Sequence, residues 1–442
     1  MPIISVGITT QPELHFVLHG NFIASGDAGL LNGEYIARRS GNLIEIEREG
    51  MLRTEPGITF SPERDECTFT IKDVTIGRGF HWQRKEDQQF RGSLKLLPTD
   101  EGILAINIVS IENYLASVIS SEMSANASAN LLYAHAVASR SWLLAQLERS
   151  RSLTSEHHSY PTVVETDTER IRWYDREEHE LYDVCADDHC QRYQGITKAH
   201  TSSVSDAVEA TFGKVLMHGG LVCDARFSKC CGGITELFEN VWQQEPKPYL
   251  TSRRDGQLRD GQADVSAESD AERWICSNPD AFCNTSDTRI ISQVLISYDQ
   301  ETSDFFRWKV EYEQDELSEI MTRRSGIDFG MILDLVPVER GKSGRLTKLK
   351  IVGSKRTLTI GKELEIRRTL SNSHLYSSAL SIQRQNVKAG VPSRFVLHGA
   401  GWGHGVGMCQ IGAAVMGDAG YTSDRILSHY FPNTELIQLY QG

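Results

Sequence analysis

Along the first 110 residues apolar and polar positions alternate in short runs. Glu13-Leu-His-Phe-Val-Leu, Leu43-Ile-Glu-Ile-Glu and Thr68-Phe-Thr-Ile place apolar side chains at about every second position. That period belongs to strands with one buried face, and the Gly, Asn and Asp between the runs mark turns. Gly92-Ser-Leu-Lys-Leu-Leu followed by Gly102-Ile-Leu-Ala-Ile-Asn-Ile-Val predicts a hairpin feeding the next element. The period then changes. Ile111, Leu115, Val118 and Ile119 share one helical face. The pattern breaks at Ser120-Ser-Glu-Met-Ser, and a second helix is predicted from Ser128, its N-cap, through Leu132, Ala136, Ser139, Trp142 and Leu143. Glu122 therefore falls in the junction between two helices, not on a solvated face.

Residues 150 to 200 are polar and rich in His, Asp and Glu, and 204 to 240 read as strands joined by glycine turns. The stretch from 254 to 290 is the most loop-like, an α/β segment follows to about 384, and the last 50 residues hold a dense glycine-histidine motif and a helix-like end. The expected fold is α+β, with a strand-rich N-terminal part over 1–100 and a helix-pair catalytic core with mixed sheet over 101–253. An inserted α/β lobe over 254–384 and a C-terminal Gly/His segment over 385–442, completing the core, follow.

A chain of 442 residues favours one large unit with insertions or two to three lobes. The formal charge of −13 argues against nucleic acid as a partner, because phosphate binding wants a basic face, while a neutral sugar polymer remains compatible. No window reaches the roughly 18 uninterrupted apolar residues of a membrane helix. The first residues, Met1-Pro-Ile-Ile-Ser-Val-Gly-Ile, read as a strand and lack the basic and apolar regions of a secretory signal. Nine cysteines are too sparse for a disulfide scaffold, and an odd number leaves one thiol over. Cys276 and Cys283, in a polar stretch, read equally as a local disulfide or a reduced pair.

Four segments could carry chemistry. At the helix junction, a Glu122 carboxyl flanked by Met123 and apolar helix faces would be partly desolvated, stay protonated near neutral pH and donate to a glycosidic oxygen. The plainer alternative is an N-terminal helix charge or a buried salt bridge to Arg140. In Gly399-Ala-Gly-Trp-Gly-His-Gly-Val-Gly-Met-Cys-Gln-Ile-Gly, alternating glycines expose backbone N–H groups. Trp402, His404 and Gln410 among them suggest a sugar-binding wall, against a glycine-rich turn around a satisfied histidine. His179, Cys185 and Cys190, with His189 adjacent, form a zinc-compatible set of one imidazole and two thiolates, against ordinary loop residues or a Cys185–Cys190 disulfide. Phe227-Ser-Lys-Cys-Cys-Gly-Gly-Ile-Thr-Glu reads as a tight turn at a strand end, with its cysteines structural for want of a local base.

Taken together, Glu112-Asn-Tyr-Leu-Ala-Ser-Val-Ile-Ser-Ser-Glu-Met, Ala134-His-Ala-Val-Ala-Ser-Arg-Ser, Thr211-Phe-Gly-Lys-Val-Leu, Phe227 to Thr235 and Gly401-Trp-Gly-His-Gly-Val-Gly-Met-Cys-Gln-Ile-Gly-Ala resemble the ordered blocks of the SpoIID/amidase-enhancer (LytB) family. Gly344-Arg, the Arg367-Arg-Thr-Leu stretch and His429-Tyr-Phe-Pro-Asn-Thr fit too, so that the resemblance runs from about residue 70 onward. It implies a lytic transglycosylase of peptidoglycan glycan strands with Glu122 as catalytic acid then base, or a non-catalytic enhancer of a cell-wall amidase. It also implies zinc held by His179, Cys185 and Cys190, more structural than catalytic. The substrate-side expectations are Arg140, Trp402, His404 and Gln410. An extracytoplasmic location follows from that function, with the signal or anchor removed. A zinc-dependent hydrolase centred on Cys185 and Cys190 is the third reading. Cys409 and Cys230 stand where the family commonly has serine, which argues against an obligatory thiol role.

Overall fold

The alternating runs form strands. A computed structural model describes residues 2–441 apart from 27–28, 49–50, 78–82, 125, 157–160, 175–178, 188, 198–201, 258–262 and 296–303. Architecture is α+β, as expected. The chain forms two units, Met1–Ala125 with Glu178–Lys214 and Gln438–Gly442, and Asn126–Glu177 with Val215–Ile437.

The first unit is built on β1 (Ile3–Gln11), β2 (Glu13–Ala24), β3 (Leu30–Ser40), β4 (Leu43–Arg48), β5 (Met51–Glu55), β6 (Ile58–Pro62), β7 (Thr68–Ile76), β8 (Arg84–Arg91), β9 (Ser93–Thr99) and β10 (Gly102–Ser110). These join one eleven-stranded sheet in the order Val184–Cys185, β1, β10, β9, β6, β2, β3, β4, β5, with β7 pairing both β2 and β8. The predicted hairpin is β9–β10, antiparallel from Gly102 opposite Thr99 to Ile108 opposite Ser93. Six successive residues of β10, Gly102 to Asn107, are buried, so the strand is covered on both faces and its alternation is lost. Its one buried amide, Asn107, is fully engaged: Nδ2 donates to the Arg91 and Ser93 carbonyls at 2.8 and 3.1 Å, and Oδ1 accepts from the Tyr193 hydroxyl at 2.6 Å.

Helix α1 (Ile111–Glu122) starts at Ser110, whose Oγ accepts from Asn113 N–H at 3.3 Å. The sequence predicted a break at Ser120, yet the helix continues to Glu122. The Ser120 hydroxyl donates back to the Ala116 carbonyl at 2.8 Å, the arrangement by which a serine is tolerated inside a helix. Ile111, Leu115, Val118 and Ile119 form the buried face. Helix α2 (Ala129–Glu156) belongs to the second unit and is capped by Ser128, whose Oγ accepts from Leu131 N–H at 3.3 Å.

Residues 204–210, expected to lie among strands and glycine turns, instead belong to the helix α3 (Ser202–Ala210). Val204, Ala207 and Val208 are its buried residues, a helical spacing that two β-branched side chains disguise as strand. In the second unit a five-stranded sheet runs Val163–Glu165, Glu169–Arg172, Thr357–Gly361, Leu346–Gly353, Ile332–Arg340, and a three-stranded sheet places Arg394–Ala400 between Arg307–Glu313 and Leu380–Gln385. A core including Trp308, Met321, Phe329, Leu349 and Phe395 is shared by these sheets and the helix Gln314–Ser325. Among the described residues no helix is long and apolar enough to cross a membrane.

Candidate functional site

In the first unit a loop from His179 to Thr197 is laid across the sheet edge. The strand Val184–Cys185 pairs in parallel with β1, Val6 opposite Val184 and Gly7 opposite Cys185. Asp183 clamps the entry: its carboxylate accepts from the amide and hydroxyl of Ser5, both at 2.7 Å. At the exit, Ile196 N–H donates to the Gln89 carbonyl at 2.7 Å. Gly195 makes that approach feasible, since at φ 61° a Cβ would collide with the Gln89 carbonyl.

Between these clamps His179, Cys185, His189 and Cys190 converge, one donor atom from each lying within 4.8 Å of all the others. Cys190 Sγ is 3.4 Å from His179 Nε2 and 3.6 Å from His189 Nδ1, and Cys185 N–H donates to it at 3.4 Å. The Cys185 thiol is held well below its ordinary range, first by hydrogen bonding with Cys190, against the opposing effect of burial, and further by His179 and His189. Two thiols and two imidazoles this close together are a donor set compatible with a metal ion. The sequence named three of these four side chains; His189, beside Cys190, is the fourth.

The same loop supports α1. Tyr193 stacks on Tyr114 of α1 with ring centroids 5.0 Å apart, and Gln194 N–H donates to Ser117 Oγ at 3.1 Å. Tyr114 is fully buried, and its phenol is raised far above the usual range by burial, then by Cys190, Cys185, Tyr193 and Glu122. Tyr114 is thus within electrostatic reach of both the thiol loop and the Glu122 carboxyl. Glu122, the last residue of α1, is 8% exposed, with Ser121 and Met123 buried on either side. The other buried acid among the described residues of this unit, Glu112, is held through Oε1 by the Tyr440 hydroxyl at 2.6 Å and Gly213 N–H at 3.4 Å.

The four substrate-side candidates all lie in the second unit. Arg140 on α2 is completely buried. Gln410 is 1% exposed, and its Nε2 lies 3.1 Å from His135 Nε2, whose Nδ1 meets Ser139 Oγ at 3.3 Å. His404 packs edge-on against Trp242 at 4.8 Å. Its Nδ1 accepts from Val406 N–H at 3.0 Å, and it has a backbone hydrogen bond with Phe227. Burial, then Arg226, Arg345 and Arg367, hold this imidazole neutral, far below its ordinary range. The glycines serve that packing: at Gly405 a Cβ would collide with the Arg345 guanidinium, which donates to the Gly403 and Cys231 carbonyls, both at 3.2 Å. Trp402 is half-buried, in ring contact with Tyr376 at 5.3 Å and Phe305 at 6.3 Å.

A second cluster was not anticipated. Cys231, Asp255, Cys283 and Cys409, all buried, bring donor atoms within 4.8 Å of one another. Cys283 pairs with neither Cys276 nor any other residue as a disulfide; all nine cysteines are thiols.

The α1 segment and the thiol loop fall inside a match, over residues 99–218, to the family described as Stage II sporulation protein. Residues 236–407 match a second family, described as a domain of unknown function (DUF8618), which takes in His404 and most of the glycine-histidine motif. An amidase enhancer of Bacillus subtilis is 25% identical over 242 residues, covering 53% of this chain and 32% of that protein. An uncharacterized protein of Brachyspira hyodysenteriae is 25% identical over 349 residues, covering 79% of this chain and 72% of that protein. The domain at 99–218 is thus similar to the SpoIID/amidase-enhancer family, and the match and the amidase-enhancer relative both support that relation. It spans about a third of the amidase enhancer's length.

Proposed function

We propose that the chain acts on peptidoglycan as a lytic transglycosylase, with Glu122 as general acid and then general base. The observation that carries this is the burial of Glu122 at the C-terminal residue of α1, inside the segment matched to the Stage II sporulation family. Burial disfavours a carboxylate, and the negative end of a helix dipole disfavours it further, so both favour the proton-bearing acid. The acid protonates the oxygen linking MurNAc to GlcNAc, and that C1–O bond breaks as positive charge grows at C1. The carboxylate so formed takes the proton of the C6 hydroxyl, O6 bonds to C1, and a 1,6-anhydro end results without water. One carboxylate suffices, whereas hydrolysis generally uses two. Glu112, the other buried acid among the described residues of the unit, accepts from Tyr440 and Gly213.

Zinc suits the set His179, Cys185, His189 and Cys190. With four protein ligands the coordination is closed, so the ion would contribute fixed loop geometry and no activated water. In this reading the loop, through Tyr193 and Gln194, fixes α1 and with it Glu122. Of the four substrate-side candidates Trp402 is the one with ring surface to offer a sugar, whereas Arg140 and Gln410 are buried and His404 packs on Trp242.

The test is mass spectrometry of glycan strands, denuded and peptide-bearing, after digestion. Anhydro-ended products from wild type and none from folded Glu122→Gln are expected. Absence of anhydro ends with active wild type refutes the reaction. A second reading, a non-catalytic glycan-binding enhancer of a cell-wall amidase outside the cytoplasm, is favoured by the amidase-enhancer relative. It predicts that Glu122→Gln leaves stimulation of the amidase intact.

A further inference from the structure

Four cysteines, Cys230, Cys231, Cys283 and Cys409, meet in the interior of the second unit. The strand Phe227–Ser228 pairs in parallel with Met408–Cys409, which sets Cys409 beside the turn at Cys230 and Cys231. Cys231 N–H donates to Cys409 Sγ at 3.2 Å, and Cys231 Sγ lies 3.6 Å from Cys283 Sγ. Asp255 is tied to both neighbours: its N–H donates to the Gly233 carbonyl at 3.0 Å, and its Oδ2 accepts from Cys283 N–H at 3.0 Å. Exposure is 2% for Cys231, 1% for Asp255 and zero for Cys283 and Cys409.

Buried thiols alone are ordinary core residues. A buried carboxylate among them is not, because an uncompensated charge in the interior costs several kcal/mol (about 3 or more). No lysine or arginine among the described residues pairs with Asp255. Its Oδ1 accepts from the Tyr430 hydroxyl at 2.6 Å, and His429 Nε2 is 3.9 Å away. Arg307 is within electrostatic reach of Cys230, Cys231 and Cys283, but its guanidinium donates to the carbonyls of Gly232, Trp274, Ser277 and Phe306.

We propose that Cys231, Cys283, Cys409 and Asp255 form a buried site for a single thiophilic divalent cation, zinc by ligand type. A tetrahedron with metal–sulfur bonds of ~2.3 Å has edges of ~3.8 Å, close to the 3.6 Å between Cys231 and Cys283 Sγ. The separations of up to 4.8 Å elsewhere in the set need only small side-chain adjustments. Bound there, the cation would be held by three sulfurs and one carboxylate and would supply the positive charge that no lysine or arginine pair brings to Asp255. Tyr430 and the Cys283 amide hold the carboxylate as outer-shell partners commonly hold a ligating group. Cys230, within hydrogen-bonding reach of Cys283 and Cys409, remains a thiol donor. The ion would join four separate chain segments, the role of a structural zinc rather than a catalytic one. The site is independent of the reaction assigned to Glu122.

The test is metal content of the full chain, purified without chelator, by inductively coupled plasma mass spectrometry. Cys185→Ala/Cys190→Ala removes the loop site and Cys409→Ala or Asp255→Asn the buried one. Each change is expected to lose one equivalent of zinc, and the combined variant to lose both. Equal zinc in wild type and folded Cys409→Ala overturns the proposal. Because Cys409→Ala could fail to fold, the Cys185→Ala/Cys190→Ala protein, whose buried site is intact, is also examined by X-ray absorption. Three sulfur neighbours at ~2.3 Å from zinc support the site. A metal-free protein, or a Cys231–Cys283 disulfide found by alkylation and mass spectrometry, overturns it.

Discussion

Tyr193→Phe removes one oxygen atom from the support of α1 and little else. The ring contacts with Tyr114 at 5.0 Å and Phe90 at 5.8 Å involve carbons that phenylalanine retains. What disappears is the 2.6 Å hydrogen bond from the Tyr193 hydroxyl to Asn107 Oδ1. Asn107 is completely buried, and its Nδ2 is already committed to the Arg91 and Ser93 carbonyls, so the amide cannot turn to find another partner. An acceptor stranded in the interior costs about 1–3 kcal/mol. The loss should appear in the loop, because Tyr193 N–H is bonded to the Ala186 carbonyl and Ile196 N–H to the Gln89 carbonyl. If local opening governs their exchange, 1–3 kcal/mol corresponds to about 5- to 150-fold faster hydrogen exchange. Native-state exchange of the intact protein, read by NMR or by fragment mass spectrometry, measures this directly. Exchange at Tyr193 and Ile196 within twofold of wild type, in a folded variant, would refute the claim that this hydroxyl holds the loop.

Other changes test the second unit. Glu236→Gln replaces a fully buried carboxylate that accepts from the N–H groups of Leu237, Lys342 and Ser343, the Asn240 amide and the Ser343 hydroxyl. Charge-assisted bonds are lost and an NH₂ faces donors, so urea denaturation should register a loss of about 3–5 kcal/mol. Gly412→Ala would favour the helix Gln410–Asp418 by about 1 kcal/mol in propensity. Its Cβ, however, overlaps the Tyr430 hydroxyl and lies 2.6 Å from both Asp255 carboxylate oxygens. A lower melting temperature together with reduced zinc content is therefore expected; a rise in melting temperature with zinc intact would contradict the packing.

Much of the first unit was legible because its signals are local. Strand alternation, the β9–β10 hairpin and the apolar face of α1 each rest on residues close together in the chain. The errors were local as well. Ser120 and Ser121 looked like a helix stop because serine competes for backbone bonds, but Ser120 spends its hydroxyl on Ala116. Val204 and Val208 looked like strand residues because they are β-branched, although Val204, Ala207 and Val208 already carried helical spacing. The loop donors His179, Cys185 and Cys190 could be named from the sequence because they lie within a dozen positions of one another. His189 was visible but not counted. The buried cluster had no such signal: Cys231, Asp255, Cys283 and Cys409 span 178 positions, and only the pairing of Phe227–Ser228 with Met408–Cys409 brings the ends together.

The closed donor set of the loop bears on what zinc could do there. A catalytic zinc keeps a coordination position for water or substrate, and a His-Cys-Cys trio would leave one. His189 Nδ1, 3.6 Å from Cys190 Sγ, would fill that position if a zinc ion were held there. A hydrolase centred on this zinc would therefore have to release a ligand before it could bind water. Loss of the ion would instead act through Tyr193, Gln194 and Tyr114 on the end of α1, where Glu122 lies. Chelation and Glu122→Gln should then differ in kind. The first loosens the loop and α1 together, whereas the second leaves loop exchange unchanged and removes only the carboxyl proton on which the proposed bond cleavage depends.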